Sequence, residues 1–220
     1  MTTLTHEAAP RAARSTSSEP VVALKRRTID SVLIGVGAVV TAAFLVAGAL
    51  LTWGANFSAD YVDDELTSQN ISFPPAAVLE EQGRTDLVRY ADEAVNTGPE
   101  AEAYASFING HLEGIADGMT YAEVGTPERE AKAAVDAAKA DGASEATIAK
   151  LQGEADVISG QRDTLFKGET LRGLLLTAFA WATVGQITGY AAIAAFVAGG
   201  VMLVLVLLGM RHRHEVAQTR

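Results

Sequence analysis

Two long stretches without a charged side chain decide what this chain can fold into. Residues 31–53 and 173–210, 23 and 38 residues long, contain no Asp, Glu, Lys or Arg. A helix crosses the bilayer core in roughly 20 apolar residues, so each is long enough. The second cannot lie in hydrocarbon throughout, because as a helix it would extend about 57 Å. Its later half is apolar, whereas its earlier half carries Thr177, Thr183, Gln186 and Thr188. The patterning therefore predicts an all-α membrane protein: two transmembrane helices with an extracytoplasmic helical domain between them. The expected order is a disordered cytoplasmic tail at 1–30, a first span at 31–53, the outer domain at 54–187, a second span at 188–209 and a basic tail at 210–220.

Two rival readings fit less well. A cleavable signal peptide has an apolar core of about 7–15 residues, shorter than 31–53, and that run follows some 30 residues of tail. A hairpin of two spans turning near 185–189 would leave its first arm about a dozen residues and put Arg211 and Arg213 outside.

Charge sets the expected orientation. Residues 1–30 net +2, residues 54–172 net −14, and residues 211–220 net +2. Lys and Arg close to the span ends mark the cytoplasmic side. Lys25, Arg26 and Arg27 abut the first span, and Arg211 and Arg213 abut the second, so both termini are expected in the cytoplasm of a cell membrane. Trp53 and Phe57 would then stand at the outer interface. The chain has no cysteine, which excludes disulfide staples and thiolate metal sites.

Between the spans the pattern is helical. Residues 58–69 continue the first span, 70–73 alternate briefly, and Pro74-Pro75 interrupts. Apolar positions at helical spacing predict helices over 76–96 and 100–116, the latter through Ala103, Tyr104, Phe107, Ile108, Leu112 and Ile115. Thr126-Pro127-Glu128 reads as an N-cap followed by proline at the first helical position. It opens an alanine-rich αα-hairpin at 127–161 that turns at Asp141-Gly142-Ala143-Ser144. A stem at 162–187 leads into the second span. The alanine-rich composition predicts a thin core.

Several groups invite a chemical role, each beside a plainer one. Asp60, Asp63, Asp64 and Glu65 have the hard oxygens a divalent cation takes, but their spacing fits no calcium loop and suits a solvated helix face. His111, near Glu113 and Asp117, is a pH-sensing or metal position, or a histidine packed beside an apolar stripe. Arg211-His212-Arg213-His214 suits anionic headgroups and also serves as a stop-transfer signal. Ser15–Ser18 beside Arg14 suits a kinase, or is a flexible leader. Asn56 and Asn70 open glycosylation patterns, which matter only in a eukaryotic secretory pathway. Small residues, among them Gly35, Gly48, Gly199 and Gly200, allow close helix approach, either to pack the spans together or to form a homodimer.

At Thr120-Tyr121-Ala122-Glu123-Val124 and Glu169-Thr170-Leu171-Arg172-Gly173 the chain resembles a group of small actinobacterial two-span membrane proteins. Many of these carry the label of aromatic ring-opening dioxygenase. The resemblance implies a basic start, a span, an acidic outer loop and a long second span. It implies no active residues. The label fails on chemistry here, because a non-heme iron oxygenase uses two histidines and a carboxylate. The outer segment has only His111; His6, His212 and His214 fall on the other side of the spans.

The functional expectation is a non-enzymatic membrane protein without a cofactor, presenting an acidic helical domain to a protein partner. The alternative is an accessory subunit docked through its small-residue spans. The lipid bilayer is its expected surrounding, and nucleic acid is not an expected partner.

Overall fold

The computed structural model describes residues 26–218, and these are all-α. Helices α1 (Arg26–Ser68), α2 (Ala76–Glu81), α3 (Gly98–Leu112), α4 (Tyr121–Ala140) and α5 (Glu145–Gln218) are joined by 3-10 turns at Thr85–Tyr90 and Ala116–Gly118. Lys25 and the Ser15–Ser18 cluster lie outside the described residues. Residues 26–30, expected in a disordered tail, are already helical. Residues 185–189, where a two-span hairpin would turn, lie inside unbroken helix. Two helices are thus long and apolar enough to cross a membrane.

The described chain forms two compact units, both drawing on α1 and α5. One ends at Ala42 and resumes at Gly200; the other is Ala43–Gly199. In the first, a Cβ on Gly37 would sit 2.8 Å from Val206, and one on Gly209 would sit 3.3 Å from Ile34. Thr41 returns its hydroxyl to the Gly37 carbonyl at 2.8 Å. Arg213 donates to the Ser31 hydroxyl at 3.1 Å.

In the second unit α1 and α5 run antiparallel, with Leu45 facing Gly199, Gly48 facing Phe196, Gly54 facing Thr188 and Ser58 facing Gly185. Buried positions on α5 recur as Gly185, Ala192 and Gly199, seven apart. That is the heptad spacing of a coiled-coil seam, filled here by side chains small enough for backbones to touch.

Beyond this seam the same helices enter a folded head. Val62 and Leu66 of α1 and Leu175 of α5 share a core with Phe73, Leu79, Leu87, Val95 and Phe107. Phe73 stacks on Tyr90 and meets Tyr104 edge-on, with both ring centroids 5.2 Å away. The core is therefore anchored by aromatic rings and leucines rather than by alanine alone. One antiparallel bridge, Ser72 to Ala94, holds the segment after α1. It is closed by the Phe73 N–H to the Glu93 carbonyl and the Val95 N–H to the Ile71 carbonyl, both 2.9 Å.

The expected helix over 76–96 is in fact α2 plus a 3-10 turn. Gly83 stands at φ +72°, and Arg84 locks the break. Its guanidinium grips both Asp86 oxygens, at 3.0 and 2.8 Å, and donates to the Ser106 carbonyl and hydroxyl of α3. This pairing holds the Asp86 carboxyl below its ordinary pKa.

The α4–α5 corner follows the sequence reading closely. The Ala143 N–H bonds to the Ala138 carbonyl and the Gly142 N–H to the Lys139 carbonyl, with Gly142 at φ +67°. These are the two bonds of a Schellman motif. Ser144 then caps α5 by accepting from the Thr147 N–H at 3.2 Å.

The start of α4 departs from it. The N-cap is Thr120, not Thr126, and Pro127 lies inside the helix. Thr120 accepts from the Glu123 N–H, while the Glu123 carboxylate accepts from the Thr120 N–H at 2.7 Å and hydroxyl at 2.8 Å. This capping box and full burial of Val124 outweigh the hydrogen bond that proline removes. The Thr-Tyr-Ala-Glu segment behind the resemblance is therefore a helix-starting device. Thr120→Ala should cost about 1 kcal/mol, measurable as a lower urea midpoint for the head.

Candidate functional site

A cleft of about 550 Å³ opens in the second unit. Its walls are α1 from Ala55 to Asp63, the segment Asn96–Pro99 that opens α3, and α5 from Phe179 to Gln186. Local sequence explains each wall. Gly98 lets the start of α3 rest directly on Ala182 of α5; any side chain there would meet the alanine methyl. The Glu100 carboxylate accepts from the backbone N–H groups of Asn96 and Thr97, both at 2.9 Å, and fixes that segment. Gly185 leaves room for Ser58, which is buried and donates to the Trp181 carbonyl at 2.6 Å.

The lining is mixed. Asn56, Asn96 and Gln186 contribute amides, Thr97 and Thr183 hydroxyls, and Asp60 and Asp63 carboxylates, while Phe179, Ala182 and Pro99 give an apolar wall. The Thr183 hydroxyl donates to the Phe179 carbonyl at 2.9 Å, so its lone pairs remain to accept. No Lys or Arg lines the cleft. A mixed cavity of this size falls within the range of ligand pockets.

A second polar cluster joins α4 to α5. Glu128 is buried and accepts from Lys132 at 2.6 Å, Arg162 at 2.7 Å and Ser159 at 3.0 Å. Arg162 also lies over the Tyr121 ring, 4.3 Å from its centroid. The hydrogen bonds from Lys132, then Arg162 and Ser159, bring the Glu128 pKa down from 4.5 to about 2. A carboxyl depressed by folding stabilises above its ordinary value and loses that contribution as pH falls through the folded one. The thermal midpoint of the full chain should therefore drop between about pH 4.5 and pH 2. The gap between wild type and Glu128→Gln should close over the same window, read by helical circular dichroism.

The other residues singled out from sequence are placed as follows. Gly48 lies against the Phe196 ring and Gly199 against Phe44 and Leu45, whereas Gly35 and Gly200 face open space. Pairing of the two helices therefore uses Gly48 and Gly199 but not Gly35 and Gly200. Arg26 and Arg27 lie in the first turn of α1, and Arg211 and Arg213 are exposed near the end of α5. Among the described residues, no three His, Asp or Glu side chains converge as a metal site. The Asp60–Glu65 acids and the His111, Glu113 and Asp117 trio are thus not drawn into one. His111 instead sets its Nδ1 3.0 Å from the Phe107 carbonyl and its ring edge-on to Phe107.

Sequence reasoning missed the cleft and the Arg162–Glu128 pair. The cleft joins segments over 100 residues apart, and no local pattern announces it. The S/T-x-x-E spacing at Thr120 was a legible signal for the true start of α4. Compared with family models, with curated proteins and with solved structures, the chain matches none.

Proposed function

We propose that this chain is a two-pass membrane protein that displays an acidic helical head on the outer face of a cell membrane, with both termini in the cytoplasm. The observation that carries this reading is the exposure of the apolar helices. In the most apolar stretch of each long helix, only 17% and 22% of the residues are buried. A core helix of a soluble protein would be buried for most of its length. Val32, Leu33, Val36, Val39, Ile193 and Val197 are among the exposed aliphatics. Water opposes such a surface at about 25 cal/mol per Å², and lipid does not.

Lys25, Arg26, Arg27, Arg211 and Arg213 support the orientation through the positive-inside rule. Trp53 and Tyr190, both well exposed, suit the outer aromatic belt. The role we assign is non-enzymatic: the head is an interaction module held at the membrane surface. The resemblance to the actinobacterial two-span proteins favours the same plan.

The absence of cysteine makes the test direct. In intact, wall-stripped cells, Ala140→Cys should react with a membrane-impermeant maleimide. Ala217→Cys should react only after permeabilisation. Labelling of both in intact cells, or recovery of the chain in a detergent-free supernatant, would refute the reading.

A further inference from the structure

We propose that the cleft between α1, α5 and the start of α3 binds the ammonium head of an amphiphile in the outer leaflet. The inference rests on the membrane reading above and adds a ligand class to it. Three observations on one cavity converge.

The first is depth. Trp53 on α1 and Tyr190 on α5 are exposed, and the neighbouring residues Gly54 and Thr188 face each other, so the two aromatics share a level. The cleft begins at Ala55 and Gln186, within one to two turns of that belt. The headgroup layer adds about 5–7 Å on each side of the hydrocarbon core, and a helical turn rises 5.4 Å. The lower end of the cleft therefore opens at headgroup depth.

The second is charge. Asp60 and Asp63 line the cleft and no basic side chain does. A phosphate or sulfate head would meet two carboxylates without a counter-charge, whereas an ammonium would meet two partners of opposite sign.

The third is hydrogen bonding and shape. An ammonium has three N–H donors and no acceptor. The amide carbonyls of Asn56 and Gln186 and the hydroxyl oxygen of Thr183 supply acceptors on facing helices. Ala55, Ala59 and Ala182 offer apolar surface to the carbons next to the head. The wall is held by the Gly98–Ala182 and Ser58–Gly185 contacts, so the site is formed before a ligand arrives.

The test uses the full chain in discs of zwitterionic lipid, after size-exclusion shows that protein and disc co-migrate. Radiolabelled dodecylammonium, dodecyl sulfate and dodecyl glucoside are titrated against empty discs. Saturable uptake of dodecylammonium alone is expected, near one per chain. Asp60→Asn with Asp63→Asn should weaken it about tenfold, and Ala59→Trp, which fills the cleft without changing charge, should abolish it. Asp64→Asn with Glu65→Gln removes the same charge from α1 positions that do not line the cleft and should leave affinity within about twofold. Equal weakening by both acidic pairs, unsaturable uptake, or tighter binding of dodecyl glucoside would overturn the ammonium assignment while the membrane reading stands. A chain that does not co-migrate with discs removes both.

Discussion

Gly98→Ala should destabilise the head by about 2–3 kcal/mol, and Ala182→Gly should restore most of that loss. The Gly98 backbone lies so close to the Ala182 methyl that a second methyl has nowhere to go. Neither group is the end of a flexible side chain, so the backbone of α3 must lift away from α5. Alone, Ala182→Gly should cost about 1 kcal/mol, the penalty for glycine in a helix interior. In the double variant one methyl again separates the helices, and stability should return to within about 1.5 kcal/mol of wild type. The measurement is native-state hydrogen exchange of the α3 amides in detergent. Additive losses in the double variant would show that the Gly98–Ala182 contact does not hold α3 in place.

Leu79→Ala should cost more, about 3–5 kcal/mol. Leu79 is 0% exposed and belongs to the aromatic-rich core with Phe73, Leu87 and Phe107. A cavity there cannot collapse easily, because α2 is only six residues long and is tied down at its end by the bond from the Arg84 N–H to the Leu79 carbonyl at 2.8 Å. Domains of this size hold about 5–15 kcal/mol in total, so this loss should shift the urea midpoint of the head strongly. The neighbouring Val78, 37% exposed, is the control. Val78→Ala should change stability by less than about 1 kcal/mol. Equal losses at the two positions would mean that Leu79 is not a core residue.

Features written into short stretches were legible from sequence. The continuation of α1 past Trp53, the corner at Asp141–Ser144 and the entry of α5 at Glu145 all follow from local composition and capping. Less legible were features decided by contact with distant residues. The periodicity of 76–96 suggested one helix, but Gly83 and the grip of Arg84 on Asp86 and Ser106 divide it. Pro127 looked like a helix start because proline is favoured there; the capping box at Thr120 and burial of Val124 place the start six residues earlier. Glycine content flagged the paired helices without saying which glycines point inward. Gly48 and Gly199 do, while Gly35 and Gly200, one residue beyond Gly199 in the latter case, face away. The cleft needed three segments to be brought together, so only its individual side chains could be seen beforehand.

The core of the head takes Val62 and Leu66 from the first long helix and Leu175 from the last. Leu175 emerges from the ribosome more than 100 residues after Val62. At about 5–20 residues per second, the early part of the chain waits roughly 5–20 s for the residue that completes its packing. During that interval Phe73, Leu79 and Leu87 have no finished interior to enter, and quality-control proteases can reach them. A nascent chain arrested before residue 175 should therefore be cut readily within residues 69–161, and release of the full chain should confer resistance in a single step.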